Sequence, residues 1–227
     1  MSEFDVYARS YQELLEDPIR ARFAGQGLFF HERKWLLLRG FLEARGLCSK
    51  SMDWLDVGCG QGELLSIAAG EFRRAAGCDP SAEMLSHVRG AEVRVQDPSG
   101  RLPFDSKAFD LLTAVCVYHH VPPSARPRLT NEIRRVLRPN GIACIIEHNP
   151  FNPATQLIVH RTPVDADAHL LTARTARSLF RASGFHVIGT EYFLYFPERL
   201  YRRVGHLESY LAQVPLGGQY AVFGNRV

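Results

Sequence analysis

The chain of 227 residues has no long apolar run, no block of like charge, no internal repeat and no paired-cysteine motif. Each absence removes a class of protein. A membrane-spanning helix needs roughly 18 or more consecutive apolar residues. No stretch reaches that length, so stable membrane insertion is not expected. The basic residues are scattered in short pairs such as Arg73-Arg74 and Arg134-Arg135, and the formal net charge is only +3. Nucleic-acid binders usually concentrate positive charge, so the expectation is a chain with no nucleic-acid partner. Five cysteines, Cys48, Cys59, Cys78, Cys116 and Cys144, form an odd set without C-x-x-C or zinc-type spacing. They suit free thiols in a reducing compartment, and no metal is expected. The opening MSEFDVYARSYQELLED is charged and has no apolar segment, which does not fit a signal peptide. The expected location is the cytoplasm.

What is present is ordinary globular composition arranged as alternating elements. Residues 3 to 47 read as helical, with Leu36, Leu37, Leu38, Phe41 and Leu42 on a broad apolar stripe. Short apolar runs then alternate with helical patterns. Strands are expected at Trp54–Val57, Ala75–Cys78, Val93–Val95, Leu111–Val117, Ile142–Ile146, Phe185–Tyr195 and Gln219–Phe223. Helices are expected at 63–69, after the Ser81 cap, at 126–137 and at 172–183, with Pro139-Asn140-Gly141 as a turn. Such alternation means parallel strands joined by helical crossovers, a doubly wound α/β sheet of seven strands with the last antiparallel. Ligands of these sheets lie beyond the carboxyl ends of the strands near the topological switch point.

The stretch WLDVGCGQGEL, residues 54 to 64, falls there. Its glycines, Gly58, Gly60 and Gly62, suit a tight turn or a close approach of ligand to backbone. The dinucleotide fingerprint G-x-G-x-x-G is incomplete, because Glu63 stands where its third glycine belongs. A carboxylate beside a pyrophosphate is unfavourable, and Asp56 before the loop suits a cationic or hydrogen-donating group instead. S-adenosylmethionine, with an ammonium, a sulfonium and no phosphate, satisfies both conditions.

On these residues the chain resembles the class I S-adenosylmethionine-dependent methyltransferases, over roughly residues 52 to 148. The motifs are Leu55 to Gly62, Gly77-Cys78-Asp79-Pro80-Ser81, Val95-Gln96-Asp97, Phe109-Asp110-Leu111-Leu112 and Leu137-Arg138-Pro139-Asn140-Gly141. The resemblance implies a Rossmann-like methyltransferase fold with S-adenosylmethionine as cofactor. It implies that Asp79 takes the ribose hydroxyls and Asp97 the adenine amine. The implied cofactor set is Tyr11, Asp56, Gly58, Gly60, Gly62, Asp79, Pro80, Asp97, Pro98, Cys116 and Tyr118, with Tyr118 packing over the adenosine. Pro98 departs from the family pattern: proline has no N–H to offer the adenine ring. Adenine is then held less tightly, or one residue further on.

Methyl transfer requires an acceptor held in line and, for a hydroxyl or ammonium, a base. His119 and His120 at the end of the fourth strand and His148 at the end of the fifth are the candidates, since histidine titrates near neutrality. Glu147 could orient a neighbour. Asn149-Pro150-Phe151-Asn152-Pro153 reads as a rigid turn walling the acceptor. Phe4 to Tyr11 resembles the opening of small-molecule members of the superfamily, in which a tyrosine touches the methionine portion of the cofactor. Arg33 or Lys34 could meet the cofactor carboxylate, although a solvated face accounts for them more simply.

The organisation expected is a helical cover over the cofactor, residues 1–50, and a methyltransferase core, residues 51–227, in which 149–218 supply the acceptor wall and a C-terminal helix. The segment from Arg161 to Tyr220 is similar to bacterial methyltransferases of cell-surface-glycan and secondary-metabolite clusters, which points to a small-molecule or glycan- or lipid-linked acceptor. Phe193 to Arg203, apolar then basic, could rest on a membrane surface, but a core strand followed by a solvated helix is the simpler account. The rival functions are a nicotinamide oxidoreductase, which Glu63 opposes, and a cofactor-binding protein without activity. The oligomeric state is not legible.

Overall fold

The computed structural model describes residues 18–25, 28–97 and 99–227. Tyr7, Tyr11 and Pro98, and the helix expected over residues 3–17, lie outside the described residues. Helices α1 (Pro18–Phe23) and α2 (Leu28–Glu43) precede an alternating series. It runs β1 (Asp53–Val57), α3 (Glu63–Ala68), β2 (Arg74–Asp79), α4 (Ala82–Leu85), β3 (Glu92–Val95), β4 (Phe109–Val115), α5 (Arg126–Val136) and β5 (Leu137–His148). The chain continues through α6 (Pro153–Arg161), α7 (Ala173–Ala182), β6 (Phe185–Phe193), α8 (Glu198–Val204), α9 (Glu208–Leu211) and β7 (Gln219–Arg226). The seven strands form one sheet in the order β3-β2-β1-β4-β5-β7-β6. All pairs are parallel except those of β7, which inserts antiparallel between β5 and β6.

The alternation of side chains explains the two-sided burial. One face of the sheet presents Trp54, Leu111, Cys144 and Phe223 to α2 and α3. The other presents Leu55, Leu112, Ile145 and Val222 to α5 and α7. Strands covered on both faces must be apolar at successive positions, which is why they read as continuous hydrophobic runs. Phe41 of α2 stacks on Phe223 of β7 with centroids 3.5 Å apart, fastening the first long helix to the sheet. Local signals hold where expected: the Ser81 side chain accepts from the Met84 N–H and caps α4, and Thr172 caps α7.

Three expectations need correction. The N-terminal region is not one helix, because α1 ends at Phe23 and the backbone N–H of Gly25 turns to the Glu198 carboxylate at 3.0 Å. Pro139-Asn140-Gly141 does not separate α5 from a later strand but forms an irregularity inside β5. Leu137 pairs with Phe109 and Ile142 with Leu111, so residues 138–141 are looped out opposite Asp110, with Asn140 at φ +64°. Arg33 and Lys34 are buried rather than solvated. Arg33 forms an ion pair with Glu208 of α9, and its guanidinium lies 3.7 Å from the Tyr201 ring centroid. The stretch after β6 is therefore packed on α2, leaving side chains such as Tyr210 outside. No helix among the described residues is long and apolar enough to cross a membrane.

Candidate functional site

A cavity of about 510 Å³ opens beyond the carboxyl ends of β1, β2 and β4, at the switch point between β1 and β4. At one end lies the glycine loop. Asp56, the fourth residue of β1, is buried, and its carboxylate accepts from Thr113 Oγ1 at 2.6 Å. Thr113 accepts in turn from the Trp54 indole N–H at 2.9 Å, so a chain of three side chains fixes the acid. Burial pushes the Asp56 carboxyl up to about 7. The Thr113 bond and Lys34 pull against that rise, while Glu63 and Asp79 add to it.

The glycines divide by their surroundings. A Cβ on Gly58 would meet Val117 at 2.5 Å, so this position is glycine because β4's exit crosses it closely. Gly60 has φ +54°, and a Cβ there would meet nothing nearer than Glu63 Oε2 at 3.9 Å. Bare backbone thus faces the cavity. Gly62 begins α3, and its Cβ position points at Val88 instead. Asp79 closes β2 with Oδ2 on the Gly60 N–H and Oδ1 on the Ser81 N–H. Pro80 and Asp97 also line the cavity, with Asp97 exposed at its rim.

The residues present fit S-adenosylmethionine. Three carboxylates, Asp56, Glu63 and Asp79, border the loop and suit a ligand with cationic and hydroxyl groups, while Gly60 leaves room for an amino-acid tail. Lys34 is buried against this end and could meet a carboxylate.

The opposite end is built by three strand exits and a loop. Cys116 follows β4 in a left-handed conformation, φ +56°, with its N–H bonded to Ile146 O at 2.8 Å. The turn after it carries His119 and His120. Glu147 of β5 is fully buried and accepts from the Tyr118 N–H at 2.6 Å and from His119 Nδ1 at 2.5 Å. Asp165, in the short turn Pro163–Asp165, places Oδ1 3.3 Å from His119 Nε2 and 3.4 Å from His120 Nε2. His148 lies with its ring centroid 5.2 Å from that of His119. Its Nδ1 is 3.5 Å from Gln219 Nε2, which is 3.4 Å from Cys116 Sγ. Gln219 Oε1 is buried without a hydrogen-bond partner among the described residues, in a side chain that lines the cavity.

Electrostatics here are set by close pairs. Burial opposes a charge on His119, but Glu147 and Asp165 outweigh it and raise the imidazole well above its usual value. Burial and the neighbouring His119 lower His120 to about 4. Burial would push the Cys116 thiol up, yet His148 and Lys34 bring it down to about 7.

Of the residues named from sequence, the fold brings together His119, His120, His148 and Cys116 at one end and Asp56, Gly58, Gly60, Asp79, Pro80 and Asp97 at the other. Tyr118 does not join them. Its ring belongs to the core on the α5 face and its hydroxyl lies 2.9 Å from Thr130 Oγ1, so it does not reach an adenosine. Asp165 and Gln219 were missed. No local pattern marks Asp165, whose position depends on the return of a long loop. Gln219 carried a weak signal as the polar residue opening an apolar strand after Gly217-Gly218.

Comparison with known proteins agrees with this geometry. Residues 55–145 match the Methyltransferase domain family. A tRNA (carboxymethyluridine(34)-5-O)-methyltransferase of Arabidopsis thaliana is 32% identical over 136 residues, covering 59% of this chain and 32% of that protein. A probable S-adenosylmethionine-dependent methyltransferase of Mycolicibacterium smegmatis is 29% identical over 144 residues, 61% of this chain and 53% of that one. Among solved structures, a methyltransferase of Thermotoga maritima, described as a possible histamine N-methyltransferase, superposes with TM-score 0.69 at 15% identity, covering 99% of this chain and 98% of that one. The chain thus spans about a third to a half of the length of these two curated relatives. The tRNA methyltransferase among them overturns the expectation that nucleic acid is excluded as a partner. With these motifs carried on this sheet, residues 55–145 carry the match to the Methyltransferase domain, and the fold is that of solved structures described as S-adenosylmethionine-dependent methyltransferases.

Proposed function

We propose that this chain methylates an oxygen or nitrogen of an acceptor whose reacting group enters the histidine end of the cavity. The observation that carries the reading is the continuity of one cavity from the Asp56–Gly60–Asp79 loop to His119, His148 and Asp165. Bound there, the cofactor supplies a methyl group on a sulfonium and leaves as S-adenosylhomocysteine. In this reading Asp79 takes the ribose hydroxyls, Asp97 the adenine amine, Asp56 and the bare Gly60 backbone the ammonium tail, and Lys34 the carboxylate. In this reading α1 and α2, which bring Arg20, Phe23, Phe30 and Lys34 to the cavity, cover the cofactor, and 149–218 wall the acceptor.

Among the three histidines, His148 suits the proton-accepting role best. Both ring nitrogens of His119 face carboxylates, and His120 Nε2 faces Asp165. His148 lies beside the Gln219 amide, the Cys116 sulfur and the His119 ring, with no carboxylate at hydrogen-bond distance among the described residues. Gln219 Oε1, buried and with no partner among the described residues, would accept a hydrogen bond from the acceptor and fix its orientation. The acceptor is thus a small hydroxyl- or amine-bearing group, free or as one unit of a glycan- or lipid-linked molecule. A tRNA nucleoside is the second reading, favoured by the tRNA methyltransferase among the relatives. The free thiols suit the cytoplasm as the place of action.

Incubating the protein with methyl-labelled cofactor and fractionated cell extract tests this reading. Label is expected in the small-molecule or glycan and lipid fraction, with adenosylhomocysteine released in equal amount. Label confined to RNA would select the second reading, and no label in any fraction would overturn both.

A further inference from the structure

Two imidazoles and a carboxylate converge on the acceptor side. We propose that His119 Nε2, His120 Nε2 and Asp165 Oδ1 form a binding site for one divalent transition-metal ion, which receives an oxygen of the acceptor; the second half of this proposal rests on the function proposed above.

The spacing is that of a metal site. The three ligand atoms all lie within 4.8 Å of one another, with Asp165 Oδ1 3.3 and 3.4 Å from the two nitrogens. Ligands about 2.0–2.1 Å from a tetrahedral ion stand about 3.4 Å apart, so the two oxygen–nitrogen separations already match. Two imidazoles with one carboxylate select zinc, iron(II) or cobalt over magnesium and calcium, which prefer all-oxygen sites.

The surroundings are those of a built site. Glu147 bonds His119 Nδ1 at 2.5 Å, which leaves Nε2 as the ligand nitrogen, its proton released to solvent as the ion binds. Metal-bound histidines commonly have such a carboxylate behind them, fixing tautomer and ring orientation. Glu147 is itself held by the Tyr118 N–H. The Asp165 loop is stitched to the histidine turn by the His169 N–H on His119 O at 2.8 Å. Arg126 completes the clamp, donating to the carbonyls of Tyr118 and Val121 at 3.0 Å and to that of His169. All three ligand residues line the cavity, and the His120 side chain is 22% exposed, so further coordination positions face the acceptor.

An ion here would act as a Lewis acid. A hydroxyl bound to it loses its proton more readily, since a divalent ion stabilises the oxyanion. The O–H bond breaks, the electron pair stays on oxygen, and the proton passes to His148. Nothing is oxidised or reduced.

The test is titration of chelator-treated, dialysed protein with zinc chloride, and separately with cobalt(II) chloride followed by its visible absorption. One equivalent of each should bind. Asp165→Ala and His120→Ala should weaken binding at least 10-fold, and Glu147→Gln roughly 10–100-fold. Calorimetric titration with adenosylhomocysteine should give the same affinity within twofold for metal-free, zinc-loaded and Asp165→Ala protein, so loss of cofactor binding and loss of metal binding are separable results. Asp165→Asn, with melting followed by circular dichroism, replaces Asp165→Ala should the latter unfold. Failure of wild type to bind either ion overturns the proposal, and the contacts are then hydrogen bonds of a histidine–carboxylate cluster. Equal binding by wild type and the folded variants overturns it as well.

Discussion

Asp79 and Gly60 are joined by a 3.0 Å hydrogen bond from the glycine N–H to one carboxylate oxygen, while the other oxygen holds the Ser81 N–H. The acid at the end of β2 therefore shapes the glycine loop and begins α4, besides lining the cavity. Asp79→Ala should weaken adenosylhomocysteine binding by roughly 1.5–3 kcal/mol, the usual worth of hydrogen bonds to a charged group. It should also lower the melting temperature, because two backbone donors lose their acceptor. Calorimetry and thermal melts check both, and wild-type affinity in a folded mutant would remove Asp79 from the cofactor site.

His119 and His148 should part company on mutation. His119→Ala strips the buried Glu147 of its partner at 2.5 Å, and breaking a buried pair from one side costs about 3–5 kcal/mol. The expected result is a large fall in stability. His148→Ala leaves no buried carboxylate exposed to that penalty and should slow single-turnover methyl transfer roughly 10²–10⁴-fold with adenosylhomocysteine affinity intact. An unchanged single-turnover rate in His148→Ala would exclude it as the base.

Cys116 should be the reactive thiol of the cavity. Burial raises its value, but His148 and Lys34 outweigh that and bring it down to about 7, below that of an ordinary thiol. Cys59, Cys78 and Cys144 are pushed up by burial. Iodoacetamide labelling read by peptide mass spectrometry should show Cys116 modified with a midpoint near pH 7, moving upward in His148→Ala. Adenosylhomocysteine should protect it. Labelling of Cys116 that follows an ordinary thiol profile in wild type would contradict the pairing.

Acid should weaken the rim opposite the site. The Asp53 carboxyl is held below its usual value first by its bond to Arg73, with burial opposing and Arg138 assisting. Because the folded value is depressed, this stabilisation is present above the unfolded value of 3.8 and is lost as pH falls through the folded one. Asp53→Asn should cost about 1 kcal/mol at pH 7, a figure kept small because Arg73 is half exposed. Urea midpoints of mutant and wild type should draw together as pH falls below 3.8, and a constant difference across pH would exclude the linkage.

Much of this was readable from residues alone where the signal is local. Alternation of apolar runs and helical patterns specified seven strands, and the motif around Asp56 and Asp79 pointed to one end of the cavity, because both depend on neighbours in sequence. Signals that depend on distant partners failed. Arg33 looked like a solvated charge until Glu208 and Tyr201 arrived from α8 and α9 to bury it. Tyr118 looked like a cavity residue, but the turn after β4 carries its ring to the α5 face, where Thr130 meets its hydroxyl. Asp165 had no sequence signature at all, since only the fold of the loop after α6 carries it to His119 and His120. Charge counting also misled: a net charge of +3 says little about partners when a similar relative is a tRNA methyltransferase.

The most direct test of the central claim is a crystal structure of the protein with S-adenosylhomocysteine bound. The account predicts one molecule in the cavity, with ribose hydroxyls on Asp79, the amino-acid tail over Gly60 near Asp56, and the sulfur directed toward the His148 and Asp165 end. Binding elsewhere, or in this cavity with the sulfur turned away from those residues, would contradict it.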